Sequence, residues 1–140
     1  MKLTANDFTT AFPDEWEDRT MITLVAPFSL GNFAANCVIT KTPVAADETL
    51  EEFVREQTEA MRQSLPNFQV LDYRVNTLNG LPSCQQLQRF QTENAILQQV
   101  QTYILANQNI YVVTGTADVE NFNMHISAFR QVVENFQITN

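Results

Sequence analysis

Residues 110–136 constrain the chain most, because a β-branched run there passes directly into a regular amphipathic helix. Ile110-Tyr-Val-Val-Thr-Gly-Thr116 is rich in side chains that suit a pleated, covered surface and lose rotamer freedom in a helix, so it reads as a central strand. Beyond it, Asp118 is suited to cap a helix N-terminus and Glu120 to sit at the positive end of the helix dipole. Phe122, Ile126, Phe129, Val133 and Phe136 then recur at alternating steps of four and three residues, which puts all five on one stripe. The nearest surface on which to bury that stripe is the sheet containing the preceding strand. Two roles are open to Gly115, close approach of helix to strand or a turn at the strand's end.

Upstream, residues 3–12 alternate Phe8, Thr10 and Phe12 and read as a first strand stopped by Pro13. A polar loop follows, Asp14-Glu-Trp-Glu-Asp-Arg-Thr20, with Trp16 expected to fold back as an apolar anchor and Arg19 to pair with a neighbouring acid. Its carboxylates lack the ligand spacing and turn glycine of a calcium loop. Residues 21–27 form a second strand, Gly31 and Asn32 a turn, and residues 36–42 a third strand closed by Pro43. Thr49 with Glu52 fits a capping box, opening a helix with the apolar line Leu50, Phe53, Val54, Ala60, Met61 and Leu65 that Pro66 ends near Ser64. Residues 68–78 and 81–92 read as a hairpin about Asn79-Gly80. Residues 95–106 fit a helix stripe or a strand face; the polar turn Asn107-Gln-Asn109 directly before the strand at Ile110 favours the strand, which completes a meander.

This order has no βαβ alternation. It predicts an α+β fold: a mainly antiparallel curved sheet of about six to seven strands with two helices packed on one face. At 140 residues a single domain, 1–140, is expected, and ten Phe with many Val, Ile and Leu supply its core. A net charge of −8 with eight scattered basic residues excludes the clustered cations that nucleic acid or an anionic membrane surface requires. Residues 1–12 lack the apolar segment of a signal peptide and no long apolar run follows, so a cytoplasmic location is expected. In that reducing compartment Cys37 and Cys84 are expected as buried hydrophobes.

The search for chemistry finds little. His125, the one histidine, falls beside the apolar stripe of the last helix as a boundary residue. Neither cysteine has metal-ligand spacing, and the three glycines are too isolated to build a phosphate loop, so no enzyme, metal or cofactor is expected. An enzyme using the acidic loop between Asp14 and Asp18 ranks last. More unusual are seven glutamines crowded on two consecutive strands: Gln85, Gln86, Gln88, Gln91, Gln98, Gln99 and Gln101. In the second strand Leu97, Gln99, Gln101, Tyr103 and Leu105 share a face, opposite the core-like set Ile96, Val100 and Ile104. The mixed face either docks a peptide or helix through hydrogen bonds and apolar contact together, or is a half-exposed surface without a ligand.

The first strand, Phe12-Pro-Asp-Glu-Trp-Glu-Asp-Arg-Thr20, the strand from Met21 and Cys37-Val-Ile-Thr-Lys41 resemble the opening of the Eag-type, DcrB-related chaperones of bacterial type VI secretion effectors. Leu65-Pro-Asn-Phe68, Leu78-Asn-Gly80-Leu-Pro, Gln98-Gln-Val100 and the final strand and helix continue the likeness in the same order, over nearly the whole chain. The resemblance implies a PsbP-like α/β/α sandwich, commonly dimeric, whose concave sheet surface shields apolar transmembrane segments of a secreted effector that begins with apolar helices. By position it carries client contact to Ile22, Leu24, Leu97, Gln99, Gln101 and Tyr103. Glutamines where an apolar helix docks depart from a purely hydrophobic cradle and suit bonds to the exposed backbone of packed helices. The alternative is a PsbP-like accessory protein of a photosynthetic or envelope complex, without enzymatic activity.

Overall fold

The chain folds around a six-stranded antiparallel sheet in the order β3-β4-β8-β7-β6-β5, with a separate two-stranded sheet, β1-β2. The computed structural model describes residues 1–4, 7–27 and 33–139. The strands are β1 (Lys2–Thr4), β2 (Thr9–Ala11), β3 (Met21–Val25), β4 (Asn36–Pro43), β5 (Gln69–Leu78), β6 (Leu81–Gln91), β7 (Ile96–Ala106) and β8 (Asn109–Asp118). Helix α1 (Leu50–Ser64) follows β4, and α2 (Phe122–Glu134) follows β8.

Strands β5 to β8 form the expected meander, and residues 95–106 adopt the strand rather than the helix. Leu78 pairs with Leu81 and Ala106 with Asn109, so both hairpins close through two residues. The turn residues Asn79, Gly80, Asn107 and Gln108 all have positive φ, the requirement of a turn that matches strand twist. The long-range step is the insertion of β4 beside β8, where Cys37 meets Gly115 and Ile39 meets Val113.

Side-chain alternation along β8 sets the layers. Tyr111, Val113, Gly115 and Ala117 look to one face, where Val113 and Ala117 pack with Ile104, Cys37, Phe122 and Phe129 of α2. Ile110 and Val112 look to the other, where they pack with Cys84, Tyr103 and Leu50, Phe53 and Val54 of α1. The helices therefore lie on opposite faces, which corrects the expectation that both share one. The reason is that both parities of β8 are apolar, so a one-sided cover would leave Ile110 and Val112 in water.

Gly115 sits inside β8, and its role is close approach: a Cβ there would fall 2.5 Å from Cγ of Phe129, well within van der Waals contact of the ring. The capping box at α1 forms as expected, with Thr49 Oγ1 accepting from Glu52 N–H at 3.1 Å. Three local expectations are corrected. The expected single strand over residues 3–12 is instead the antiparallel pair β1 and β2, with Leu3 opposite Thr10. Asp118 ends β8 instead of capping α2; Asn121 holds the N-cap position, and its amide donates to the Asp118 carboxylate at 2.8 Å. Trp16 stands in solvent, although Arg19 does pair with Glu17 at 2.8 Å. The turn at Gly31 and Asn32 lies outside the described residues.

Gly115→Ala is expected to destabilise the fold by about 1–3 kcal/mol, because the added methyl overlaps a buried ring that has little room to move. In urea unfolding, Phe129→Leu combined with Gly115→Ala should cost less than the sum of the single changes. Strict additivity of the two would contradict the contact.

Candidate functional site

Helix α1 does not span the whole of its face, and a groove of about 450 Å³ opens between its C-terminal half and strands β4, β8 and β7. Met61 and Leu65 of α1, with Phe33, Phe90, Leu97 and Val38, form apolar walls, and Asn36, Gln99, Gln101, Thr114 and Thr116 supply polar groups. Phe68, Phe90 and Leu97 form a small buried cluster that seats Met61 and Leu65 at one end. None of the lining residues ionises.

The polar groups are bonded into a ladder that crosses the sheet. Gln86 Nε2 donates to Thr58 Oγ1 of α1 at 3.1 Å and to Gln88 Oε1 at 2.8 Å, and Gln88 Nε2 donates to Gln99 Oε1 at 2.7 Å. Gln99 Nε2 then reaches Thr116 Oγ1 at 3.0 Å. Beside it the Tyr103 hydroxyl donates to Gln101 Oε1 at 2.6 Å, and Gln101 Nε2 donates to Thr114 Oγ1 at 3.3 Å. Gln88 is fully buried, yet among the described residues no buried side-chain nitrogen or oxygen lacks a partner. Thr114 and Thr116 each accept an amide proton, which leaves their own hydroxyl protons available as donors. The groove can therefore hold an apolar body and offer hydrogen bonds to polar backbone groups.

The expected glutamine face is present, but it holds four of the seven. Gln86, Gln88, Gln99 and Gln101 are on the α1 side, whereas Gln85 bonds Thr102 and Gln98 bonds Arg89 on the α2 side, and Gln91 bonds Asn67 at the strand end. Of the six residues carried over as client contacts, Leu97, Gln99 and Gln101 line the groove, and Tyr103, only 1% exposed, lies under α1. Ile22 and Leu24 pair with Ile39 and Cys37 and sit on the α2 side, each about half exposed. The six do not form one surface; by alternation Met21, Thr23 and Val25 are the β3 residues on the groove side. The contribution of Met61 and Leu65 was missed in the sequence because Met61 reads as ordinary core filling.

Elsewhere the chemistry is sparse. Glu17 is held by Arg19, and Asp18 by Thr20 and by Lys41 at 3.6 Å, so the acidic loop does not converge on a common point. Hydrogen bonds from Thr20 and the nearby Lys41 hold the Asp18 carboxyl below its ordinary range. His125 is a boundary residue tilted against Phe129. Among the described residues no cluster of His, Cys, Asp and Glu can hold a metal, and no helix is long and apolar enough to cross a membrane.

Cys37 and Cys84 are both free and buried, as expected. Burial pushes both thiols up, pushes Tyr73 beside Cys84 up to about 12, and raises Tyr103 as well. Each group keeps its proton to higher pH when folded than when unfolded. The unfolded chain thus binds fewer protons once pH exceeds about 9, and stability, fully present below that, is expected to fall towards about pH 12. Urea midpoints across this window test the sign. Tyr103→Phe should flatten part of the slope, and a profile that rises with pH would contradict it.

Comparison with known proteins places these features in a family. The crystal structure of PA94 from Pseudomonas aeruginosa, a protein of unknown function described as a putative regulator, matches with a TM-score of 0.88 and 19% identity, covering 100% of this chain and 97% of that one. Cyanobacterial PsbP from Synechocystis sp. PCC 6803 matches with a TM-score of 0.62 and 9% identity, over 99% of this chain and 92% of that one. LpqN of Mycobacterium tuberculosis, involved in cell envelope biogenesis, matches with a TM-score of 0.57 and 11% identity, over 87% and 85%. These likenesses establish the PsbP-like α+β fold. No curated protein matches the chain. The DcrB family model matches residues 9–135, almost the entire sheet and both helices, and the chain belongs to the DcrB family.

Proposed function

We propose that the chain is a non-catalytic binding protein of the cytoplasm that shelters an apolar helical segment of a partner in the groove beside α1. The observation that carries this reading is the groove itself: apolar walls, a floor of bonded amides and hydroxyls, and no ionisable lining residue. The walls hold no acid, base or charged metal ligand, and the Thr114 and Thr116 hydroxyls have no base among the lining residues to activate them. A packed hydrophobic helix, by contrast, presents apolar side chains and, at its glycines and serines, accessible backbone carbonyls that accept from Thr114 and Thr116. The sequence resemblance to Eag-type chaperones supports the same occupant, a secreted type VI effector that begins with apolar helices.

The shared fold does not choose between readings, since PsbP-like domains host unrelated roles and the similarity to cyanobacterial PsbP and to LpqN is one of fold. Within the groove reading, Leu97, Gln99 and Gln101 contact the client directly and Tyr103 acts beneath them by fixing the Gln101 amide. Ile22 and Leu24 contact it only where it continues around the β3 edge.

Co-expression provides the test. A secreted effector with N-terminal apolar helices should accumulate in soluble form with the wild-type chain. With Val38→Asp, which places a charge in the groove wall, soluble effector should drop about tenfold or more while the circular dichroism spectrum stays native. Equal soluble effector with both chains would overturn the groove assignment.

A further inference from the structure

Helix α2 ends at Glu134, and past its C-terminal end a cavity of about 400 Å³ opens on the α2 face of β3, β4 and β8. It lies on the opposite side of the sheet from the groove. Ile22, Ile39 and Tyr111 form its floor, and Leu3 of β1 with Phe136 and Ile138 beyond α2 form its walls. Tyr111 packs on Phe136 with ring centroids 5.5 Å apart, and the Phe136 carbonyl accepts from the Asn79 amide at 3.0 Å, so this wall is fixed from two sides. Two charged residues, Lys41 and Asp18, also line the cavity, and they are not equally satisfied. Asp18 Oδ1 accepts from the Thr20 N–H at 2.9 Å and from the Thr20 hydroxyl. Lys41 Nζ lies 3.6 Å from Asp18 Oδ2, too far for a good hydrogen bond, although only 30% of the lysine side chain is exposed. Among the described residues no hydrogen bond takes up its three ammonium protons.

We propose that this cavity binds a small amphiphile of the fatty-acid class, one carboxylate head on an unbranched alkyl tail, with the head on Lys41 and the tail against Ile22, Ile39, Tyr111 and Phe136. A half-buried ammonium without a hydrogen-bonded partner has lost solvation that an incoming carboxylate restores, and such a charge-assisted bond is about twice as strong as a neutral one. Asp18 takes up at most one side of the ammonium, which leaves donors for a head entering from the cavity. An amine head fits poorly, because the Asp18 oxygen that Thr20 leaves open already faces Lys41 and the two cations would repel. The volume falls within the roughly 300–1,000 Å³ of small-molecule sites, whose usual make-up is apolar walls with a few polar groups that fix orientation. The chain's net charge of −8 opposes an anion only weakly here, since exposed charges beyond about 8 Å are screened at physiological ionic strength.

Titration of the whole chain with decanoate, decanol and decylamine, followed by calorimetry and by amide chemical shifts, tests this. Decanoate should bind one per chain and about tenfold or more tighter than either of the others. Its affinity should exceed that of hexanoate by about threefold for each added methylene. Shifts should move at Ile22, Ile39, Tyr111 and Ile138 and stay in place at Gln99 and Thr114. Lys41→Met, which keeps the aliphatic stem, should bring decanoate down to the affinity of decanol. Arg55→Met, the same loss of charge on α1 across the sheet, should bind decanoate as the wild type does. No saturable decanoate binding, equal binding of the three heads, shifts centred on the groove, or undiminished binding by Lys41→Met would each overturn the proposal. The head-group series needs only the wild type, so it decides the matter even where Lys41→Met fails to fold. Co-expression with the effector reads the groove and none of these ligands, so that reading stands or falls on its own.

Discussion

Phe129 pressed on Gly115 is the contact on which the arrangement depends. It seats α2 directly over β8, the strand that joins the β3-β4 pair to the β5-β7 meander. With any larger residue at position 115 the helix would ride higher and lose the small interlocking set of Cys37, Val113, Ala117 and Phe122 that now closes beneath it. The opposite parity of the same strand, Ile110 and Val112, anchors α1. One strand therefore contributes to both layers, as does β7, which gives Ile104 to one core and Tyr103 to the other.

Because α1 is seated over β6 and β7 by Phe53 and Tyr103, part of its face is left open towards β4. Burying four glutamines beneath and beside a helix would be costly if any amide were left unpaired, and the ladder from Thr58 to Thr116 avoids that cost by passing each proton donor to the next acceptor. The amides are thus fixed in orientation before anything binds. What reaches the groove is a rigid polar floor between apolar walls.

Much of this was legible in the sequence. Asn-Gly and Asn-Gln-Asn turns, β-branched runs and the Thr49 capping box placed β5 to β8 and α1 within a residue or two, since each is a local signal. The alternation of Leu97, Gln99, Gln101 and Tyr103 also held. What failed was relational. A stripe of glutamine and leucine reads the same whether a helix lies over half of it or none of it, so the position of α1 could not be read from β7. The two-sided apolar character of Ile110 to Val113 did announce cover on both faces, and the one-face expectation overlooked it. Ile22 and Leu24 missed the groove for a similar reason, because a single step of register along β3 exchanges the face they occupy for that of Met21 and Val25.

The pairing of Cys37 with Gly115 has a temporal consequence. On the ribosome, β3 and β4 emerge early, yet their only sheet neighbour is among the last segments to be made. The hairpins of β5 to β8 can close by local contacts, whereas the N-terminal strands wait through the synthesis of everything between, with Val38 and Ile39 unprotected. The order of assembly is thus opposite to the order of translation for the first third of the molecule, and docking of β4 is the step that completes the groove.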